Sequence, residues 1–271
     1  MKKVAIIGAG ISGLFIANLF KKNPNYQIMI YEKNTSFFLE EGYGVQLSVN
    51  SIKLLNEIGF EKLQNKEKFT PEKINFYLNN SSNKICELDI AKFNSNDCRY
   101  TTLKRSSLIN FLKKDLESLI KTGCNISKID QQNEKIILSF ENDEIKECDY
   151  LIISDGVFSK SKSLISKSKA EPRYNNTLAI RGILNKSPEN IDNKNIALFL
   201  DSNFHHVIYP VSPNGDLNFI AIMKYKLSIE DQKNYSLFSD NTFIEKVLQK
   251  IHIKKKKFFK RFKNISSVRK R

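Results

Sequence analysis

Residues 3–14, Lys-Val-Ala-Ile-Ile-Gly-Ala-Gly-Ile-Ser-Gly-Leu, read as an apolar strand, a glycine turn and the first turn of a helix. Gly8, Gly10 and Gly13 stand in Gly-x-Gly-x-x-Gly spacing, and Glu32 follows the next apolar run, residues 27–31. Strand, glycines, helix and distant acid together form the dinucleotide fingerprint, which glycines alone do not. Gly8 allows the tight turn, Gly10 lets backbone approach a pyrophosphate, and Gly13 lets helix and strand pack closely. The helix start offers the phosphates N–H groups without intrahelical partners and the positive end of the helix dipole. Glu32 can accept hydrogen bonds from both ribose hydroxyls of an adenosine and repels a 2′-phosphate, so the expected dinucleotide is FAD or NAD.

Outward from this motif the periods shift in order. Residues 12–22 place Leu14, Phe15, Ile16, Leu19 and Phe20 at helical spacing. A helix is expected from Asn50, whose side chain would cap it, through Leu54, Leu55 and Ile58. Residues 73–78 and 84–88 read as strands, and Leu108, Phe111, Leu112, Leu116 and Ile120 as one face of a helix starting near Ser106 or Ser107. Short alternating segments with polar turns at 131–134 and 141–144 lead to an apolar strand, 150–153. After a polar region at 160–176, strand patterns recur at 177–184, 196–200, 205–211 and 217–223, with no internal repeat. This order predicts a mixed α/β (α+β) fold, a Rossmann-like nucleotide-binding domain interleaved with a mostly antiparallel β-sheet domain. The expected boundaries are 1–70 with 100–165 for the first domain, 71–99 with 166–230 for the second, and a C-terminal helix and basic tail over 231–271.

Composition narrows the function classes. A 271-residue chain with 41% hydrophobic residues can bury a sizeable core. The net charge of +15 suggests a nucleic-acid partner, but residues 254–271 hold ten of the 44 Lys and Arg and no acid, leaving only +5 for the rest. A tail carrying Phe258, Phe259 and Phe262 among its cations could make weak contact with a membrane surface or RNA. A solvated, frayed terminus is the expected state, and no nucleic-acid role is predicted. Cys86, Cys98, Cys124 and Cys148 form no C-x-x-C pair and no metal spacing, so with no leader evident they read as reduced thiols of a cytoplasmic protein. His205, His206 and His252 lack the partners of a triad or metal site. His205 and His206 lie on an expected strand, where polar residues more often face solvent.

Three further stretches carry a resemblance. They are Gly42-Tyr43-Gly44-Val45-Gln46-Leu47-Ser48-Val49-Asn50, then Leu103-Lys104-Arg105-Ser106-Ser107-Leu108, then Cys148-Asp149-Tyr150-Leu151-Ile152-Ile153-Ser154-Asp155-Gly156-Val157-Phe158-Ser159. With the glycine motif, and a fainter echo in His206-Val207-Ile208-Tyr209-Pro210, they cover residues 1–225 in order. The chain thereby resembles the class A FAD-dependent monooxygenases, the aromatic-ring hydroxylases related to salicylate, para-hydroxybenzoate and ubiquinone-pathway hydroxylases. The resemblance implies FAD as cofactor, NAD(P)H as co-substrate, and hydroxylation of an aromatic or polyprenyl-phenol type of small molecule with O2. It implies a cofactor-binding set of Gly8, Gly10, Ser12, Gly13, Glu32, Lys33, Gly44, Val45, Arg105, Asp155 and Gly156. Arg105 would meet phosphate oxygens, Gly44 and Val45 would bring backbone to the flavin ring, and Asp155-Gly156 would lie near the pyrophosphate. Lys33 could equally be a solvated cation. No catalytic residue and no metal ligand is assigned.

Departures from the family pattern matter. Lys104 stands where the family often has His, Ser154 where Ala is usual, and Lys162 where Arg is usual. The family's second flavin motif, Gly-Asp-Ala-Ala-His, and the long helix after it have no counterpart in this sequence, as though the fold were truncated at the C-terminus. Gly215-Asp216 lies in a hairpin turn between apolar runs and does not supply that motif. Two alternatives therefore stand beside a monooxygenase. One is a non-catalytic FAD-binding remnant, the other an NAD-binding protein whose basic tail contacts RNA or membrane. Apolar surface left uncovered would predict poor solubility.

Overall fold

The computed structural model describes residues 1–37, 43–79, 83–166, 173–184, 192–234, 236–250 and 262–270. In chain order the main elements are β1 (Lys2–Ile7), α1 (Ile11–Lys21), β2 (Tyr26–Tyr31), β3 (Gly44–Leu47), α2 (Val49–Asn56), β4 (Lys68–Phe69), β5 (Lys73–Leu78), β6 (Lys84–Asp89) and β7 (Thr101–Lys104). They continue with α3 (Arg105–Lys113), β8 (Ile120–Lys121), β9 (Ile126–Gln132), β10 (Lys135–Phe140), β11 (Ile145–Cys148), β12 (Tyr150–Ile153) and α4 (Lys160–Ser166). The last are β13 (Thr177–Leu184), β14 (Ile196–Leu200), β15 (Phe204–Pro210), β16 (Leu217–Lys224), α5 (Ile229–Lys233), α6 (Asn241–Lys250) and β17 (Phe262–Lys270).

The chain forms two compact units, residues 1–39 with 108–172 and residues 40–107 with 173–271. Residues 40–70 and 100–107, grouped with the nucleotide-binding domain on the sequence, thus fall in the second unit, as does the whole of 231–271. In the first unit β12, β1, β2 and β8 lie side by side in a parallel sheet. Both faces of β1 are buried. Val4 and Ile6 alternate with Ala5 and Ile7, which explains its unbroken apolar run. Leu14 and Ala17 of α1, Ile30, and Leu108 and Leu112 of α3 are also buried. Ala5, Ile7, Tyr31 and Cys148 share a second cluster with Leu138 and Phe140 of the antiparallel β11-β10-β9 sheet.

In the second unit a seven-stranded sheet runs β17-β13-β16-β15-β14-β5-β6, antiparallel except where β14 meets β5. Leu178, Phe199, Ile208 and Phe219 on one face pack with Phe238, Ile244 and Val247. A separate three-stranded sheet orders β3-β7-β4.

Several expectations need correction. Ser48, not Asn50, holds the N-cap position of α2; its backbone is extended, and its hydroxyl pairs with the Asn50 side chain one residue inside the helix. Ile58 lies beyond that helix. Helix α3 ends at Lys113 because Asp115 turns the chain into left-handed geometry at φ 64°; Leu116 is buried from the following turn and Ile120 belongs to β8. The polar stretch after 159 contains α4. The frayed tail is overturned at 262–270, whose backbone pairs antiparallel with β13 and covers the edge that β13 would otherwise expose. Phe258, Phe259, His252 and the lysine run 254–257 lie outside the described residues. His206 is buried, because alternation along β15 puts it on the core face with Phe204 and Ile208, its ring stacked 4.4 Å from that of Phe199.

Candidate functional site

The glycine turn is built as its spacing requires. Gly8 adopts φ 98°, and a Cβ there would stand 2.6 Å from the Ser154 carbonyl oxygen. A Cβ on Gly13 would stand 2.0 Å from the Gly8 carbonyl oxygen and 2.6 Å from Ser154 Oγ. Gly10 is different: a Cβ there would meet nothing within 4 Å. Two glycines are thus needed by the fold, and the third leaves open space at the helix start. Gly10 occupies the N-cap of α1, where no side chain caps the helix, so the first-turn N–H groups of Ile11, Ser12 and Gly13 have no intrahelical acceptor. Ser154 fastens the turn, its hydroxyl donating to the carbonyls of Ile7 (2.9 Å) and Gly8 (3.1 Å). The sequence marks Ser154 only as a departure from Ala; its role appears once β12 lies beside β1.

The sheet order places β2 on one side of β1 and β12 on the other. Glu32, just past β2, and Asp155, just past β12, therefore flank the glycine turn. This is the switch point at the carboxyl ends of parallel strands where open α/β sheets bind ligands. Glu32 Oε2 accepts the Ala9 N–H at 2.9 Å, while Oε1 accepts the Asn34 backbone N–H and side-chain amide at 3.0 and 2.8 Å. Asn34 is a partner that spacing did not reveal. Lys33 is exposed in a bend. Asp155 Oδ2 accepts the Ser161 N–H at 3.1 Å and so caps α4, while its Oδ1 is buried with no hydrogen-bond partner among the described residues. Gly156 follows in an open turn at φ 84°. Beside them an open cleft of about 630 Å3 is lined by Ser12, Ile16, Ile153, Asp155, Lys162 and Ile165 among others.

The second unit holds the other expected residues. Gly44 donates its N–H to Asn218 Oδ1 at 2.5 Å, and a Cβ on it would stand 2.5 Å from Val211 Cγ1 and 2.9 Å from Tyr209 Cε2. Val45, half-buried, pairs with Leu103 of β7. Gly42, which opens the stretch 42–50, lies outside the described residues. Arg105 begins α3, and its N–H donates to the Tyr43 carbonyl at 2.9 Å. Its guanidinium lies 5.8 Å from the buried Tyr43 ring and that of Arg181 4.6 Å from the same ring. Arg181 was missed. Its signal was a single cation in the apolar run 177–184.

Burial holds His206 neutral, its pKa lowered to about 3, with His205 nearby adding to the effect. Burial also raises the Cys148 thiol to about 11. All four cysteines are free thiols. Among the described residues no cluster of His, Cys, Asp or Glu could hold a metal ion, and no helix is long and apolar enough to cross a membrane.

Residues 1–269 match the family described as FAD binding domain. The chain is 21% identical over 226 residues to 3-amino-4-hydroxybenzoate 2-monooxygenase PtnB3 of Streptomyces platensis, spanning 82% of this chain and 56% of that protein. It is 26% identical over 192 residues to a salicylate hydroxylase of Pseudomonas putida, spanning 67% of this chain and 43% of the relative. The chain thus spans about half the length of the curated relatives it matches. Among solved structures, Klebsiella pneumoniae HpxO complexed with FAD and uric acid has the same fold, with TM-score 0.75 and 16% identity over 84% of this chain and 58% of HpxO.

Proposed function

The chain belongs to the FAD-binding domain family, and from that premise we propose that it binds FAD and serves NAD(P)H- and O2-dependent hydroxylation of a small aromatic molecule. The observation that carries the reading is the open space at Gly10 between two glycines that the fold itself requires. The N–H groups at the start of α1, around Ser12, would take the pyrophosphate. Glu32 already accepts three hydrogen bonds and has about four acceptor sites, so a ribose hydroxyl would take the remaining site or displace Asn34. The orphaned Asp155 Oδ1, beside Gly156, supplies an acceptor for a ligand hydroxyl. In the second unit, Arg105 would serve phosphate oxygens with its planar fork, and Gly44 and Val45 would offer backbone to a flat ring. Lys33 would contribute long-range attraction at most. Bound FAD supplies electron transfer and oxygen activation, which no side chain provides; the protein's part is binding, orientation and exclusion of water. The named relatives act on hydroxylated aromatic acids, which supports an aromatic substrate.

The NAD-binding alternative gives way to the family match. FAD binding without turnover remains as a second reading, favoured by apolar side chains exposed near the cleft, Ile153 at 36% and Ile165 at 54%. NADH oxidation by the FAD-loaded chain, followed at 340 nm with a panel of phenols and with peroxide assayed, separates the two. Phenol-stimulated oxidation with hydroxylated product is expected of a hydroxylase; flavin retention with no phenol-dependent oxidation selects the second reading.

A further inference from the structure

The hairpin turn between β15 and β16 carries Gly215-Asp216, and its end is stitched to the small β3-β7-β4 sheet by three side-chain bonds, each joining residues more than a hundred positions apart. Thr102 Oγ1 donates to the Pro210 carbonyl at 2.5 Å, the Gly44 N–H to Asn218 Oδ1, and Lys104 Nζ to Asp216 Oδ2 at 2.5 Å. Gly44 and Lys104 sit opposite each other in the β3–β7 register. Their neighbours are tied as well, since Arg105 donates its N–H to the Tyr43 carbonyl. Tyr43-Gly44 and Lys104-Arg105 therefore form one paired corner, which Asn218 and Asp216 anchor from the hairpin. Gly215 makes the turn at φ 89°, and the Val211 N–H closes it on the Asp216 carbonyl at 3.0 Å. Of the three stitches only Lys104–Asp216 joins two full charges. Surface ion pairs contribute little, because two long side chains must be ordered and water screens them. This pair is better placed: its side chains are 35% and 27% exposed, Lys104 ends β7 and Asp216 directly precedes β16, so both are held on strand backbone.

We propose that Lys104 and Asp216 act as a positioning pair, holding this corner in the place from which Arg105 and the Gly44 backbone would meet FAD. The inference rests on the FAD reading above and adds two residues to it. Lys104 departs from the family's usual His, and Asp216 shows in the sequence only as a turn residue. A binding group is only as precise as the residues that hold it. Arg105 follows Lys104 directly, so whatever fixes Lys104 also fixes the peptide from which the guanidinium extends. A purely electrostatic role for Asp216 has the opposite sign. A carboxylate bonded to this corner repels the pyrophosphate of FAD, so its removal would tighten binding if charge alone mattered. Loss of a positioning pair weakens binding even though the net charge then moves in favour of an anion.

Fluorescence titration of the full chain with FAD, and hydrogen exchange of its backbone amides without FAD, test the pair. Asp216→Ala and Lys104→Met should each weaken FAD binding about three- to tenfold, as the loss of one partly buried ion pair allows. The double variant should bind no more weakly than Lys104→Met alone, because the second change finds no partner left to remove. Lys104→Arg, which keeps the charge and reaches the same carboxylate, should stay close to wild type. In the flavin-free chain Asp216→Ala should speed exchange at the Gly44 and Arg105 amides while the melting temperature stays within a few degrees. If Asp216→Ala does not fold, Asp216→Asn, which keeps the size of the turn residue, carries the same two readings at smaller amplitude. An Asp216 variant that binds FAD as tightly as wild type or more tightly, or that leaves both amides unchanged, overturns the inference. If the folded wild-type chain takes up no FAD, the FAD reading fails on its own, and faster exchange at the two amides leaves the positioning of the corner standing.

Discussion

A methyl group at Gly10 would meet no atom within 4 Å, whereas one at Gly13 would sit 2.0 Å from the Gly8 carbonyl oxygen. The two substitutions should therefore separate ligand binding from folding. Gly13→Ala forces backbone apart and should destabilise by about 1–3 kcal/mol or more. Gly10→Ala exchanges one N-cap residue for a poorer one and should stay within about 1 kcal/mol of wild type. Urea unfolding of both variants checks the order. His206 provides a pH-dependent counterpart. Its folded pKa lies near 3 against 6.5 when exposed, so the unfolded chain binds the proton more tightly. The stability it contributes is complete above pH 6.5 and is lost as pH falls from 6.5 towards 3, at up to about tenfold in the unfolding constant per pH unit. His206→Phe keeps a flat ring beside Phe199 and should flatten that slope in melts between pH 7 and 4. An unchanged slope would mean another group titrates. At this scale the glycines and Glu32 were legible because the motif fixes both residue type and spacing. Ser154 and Arg181 were not, since their partners Ile7, Gly8 and Tyr43 come close only in the folded chain. Asn34 was not, since its bond to Glu32 two residues away depends on the bend of the backbone rather than on any motif.

Among the elements, β1, α1 and β2 were readable from apolar pattern alone, because each buries a continuous face. Helix α4 was hidden by its lysines and serines, and β17 by the basic composition around it. Its backbone pairing with β13 depends on register, which charge counting does not see. Strand β12 makes the most specific element-level prediction. It is an edge strand of the parallel sheet, and Tyr150 at its start, Ile153 at its end and Val157 and Phe158 just beyond are exposed at 49%, 36%, 74% and 52%. Apolar side chains along a strand edge are an association hazard. Val157→Ser with Phe158→Ser should raise the soluble fraction and lower binding of an apolar dye while leaving the melting temperature within a few degrees. Unchanged dye binding would place the sticky surface elsewhere.

At the scale of the whole molecule, the chain folds as two units, each assembled from segments far apart in sequence: Val4 lies beside Tyr150, and Ile74 beside Ile196. Such interleaving is why the mixed architecture was legible in the order of periods and the boundaries were not. A boundary follows which strands pair, and the β3-β7-β4 sheet carries no pattern that assigns it to either unit in advance. The family match supplies FAD, and the glycine turn supplies the place where this chain would hold it. The most direct test is flavin absorbance co-eluting with protein after the chain is mixed with FAD and passed through gel filtration, for wild type and Gly10→Ala. Near-stoichiometric flavin on the wild type, lost in a Gly10→Ala variant that melts normally, is the expected result. A folded wild-type chain that elutes colourless, or a Gly10→Ala variant as yellow as wild type, would contradict it.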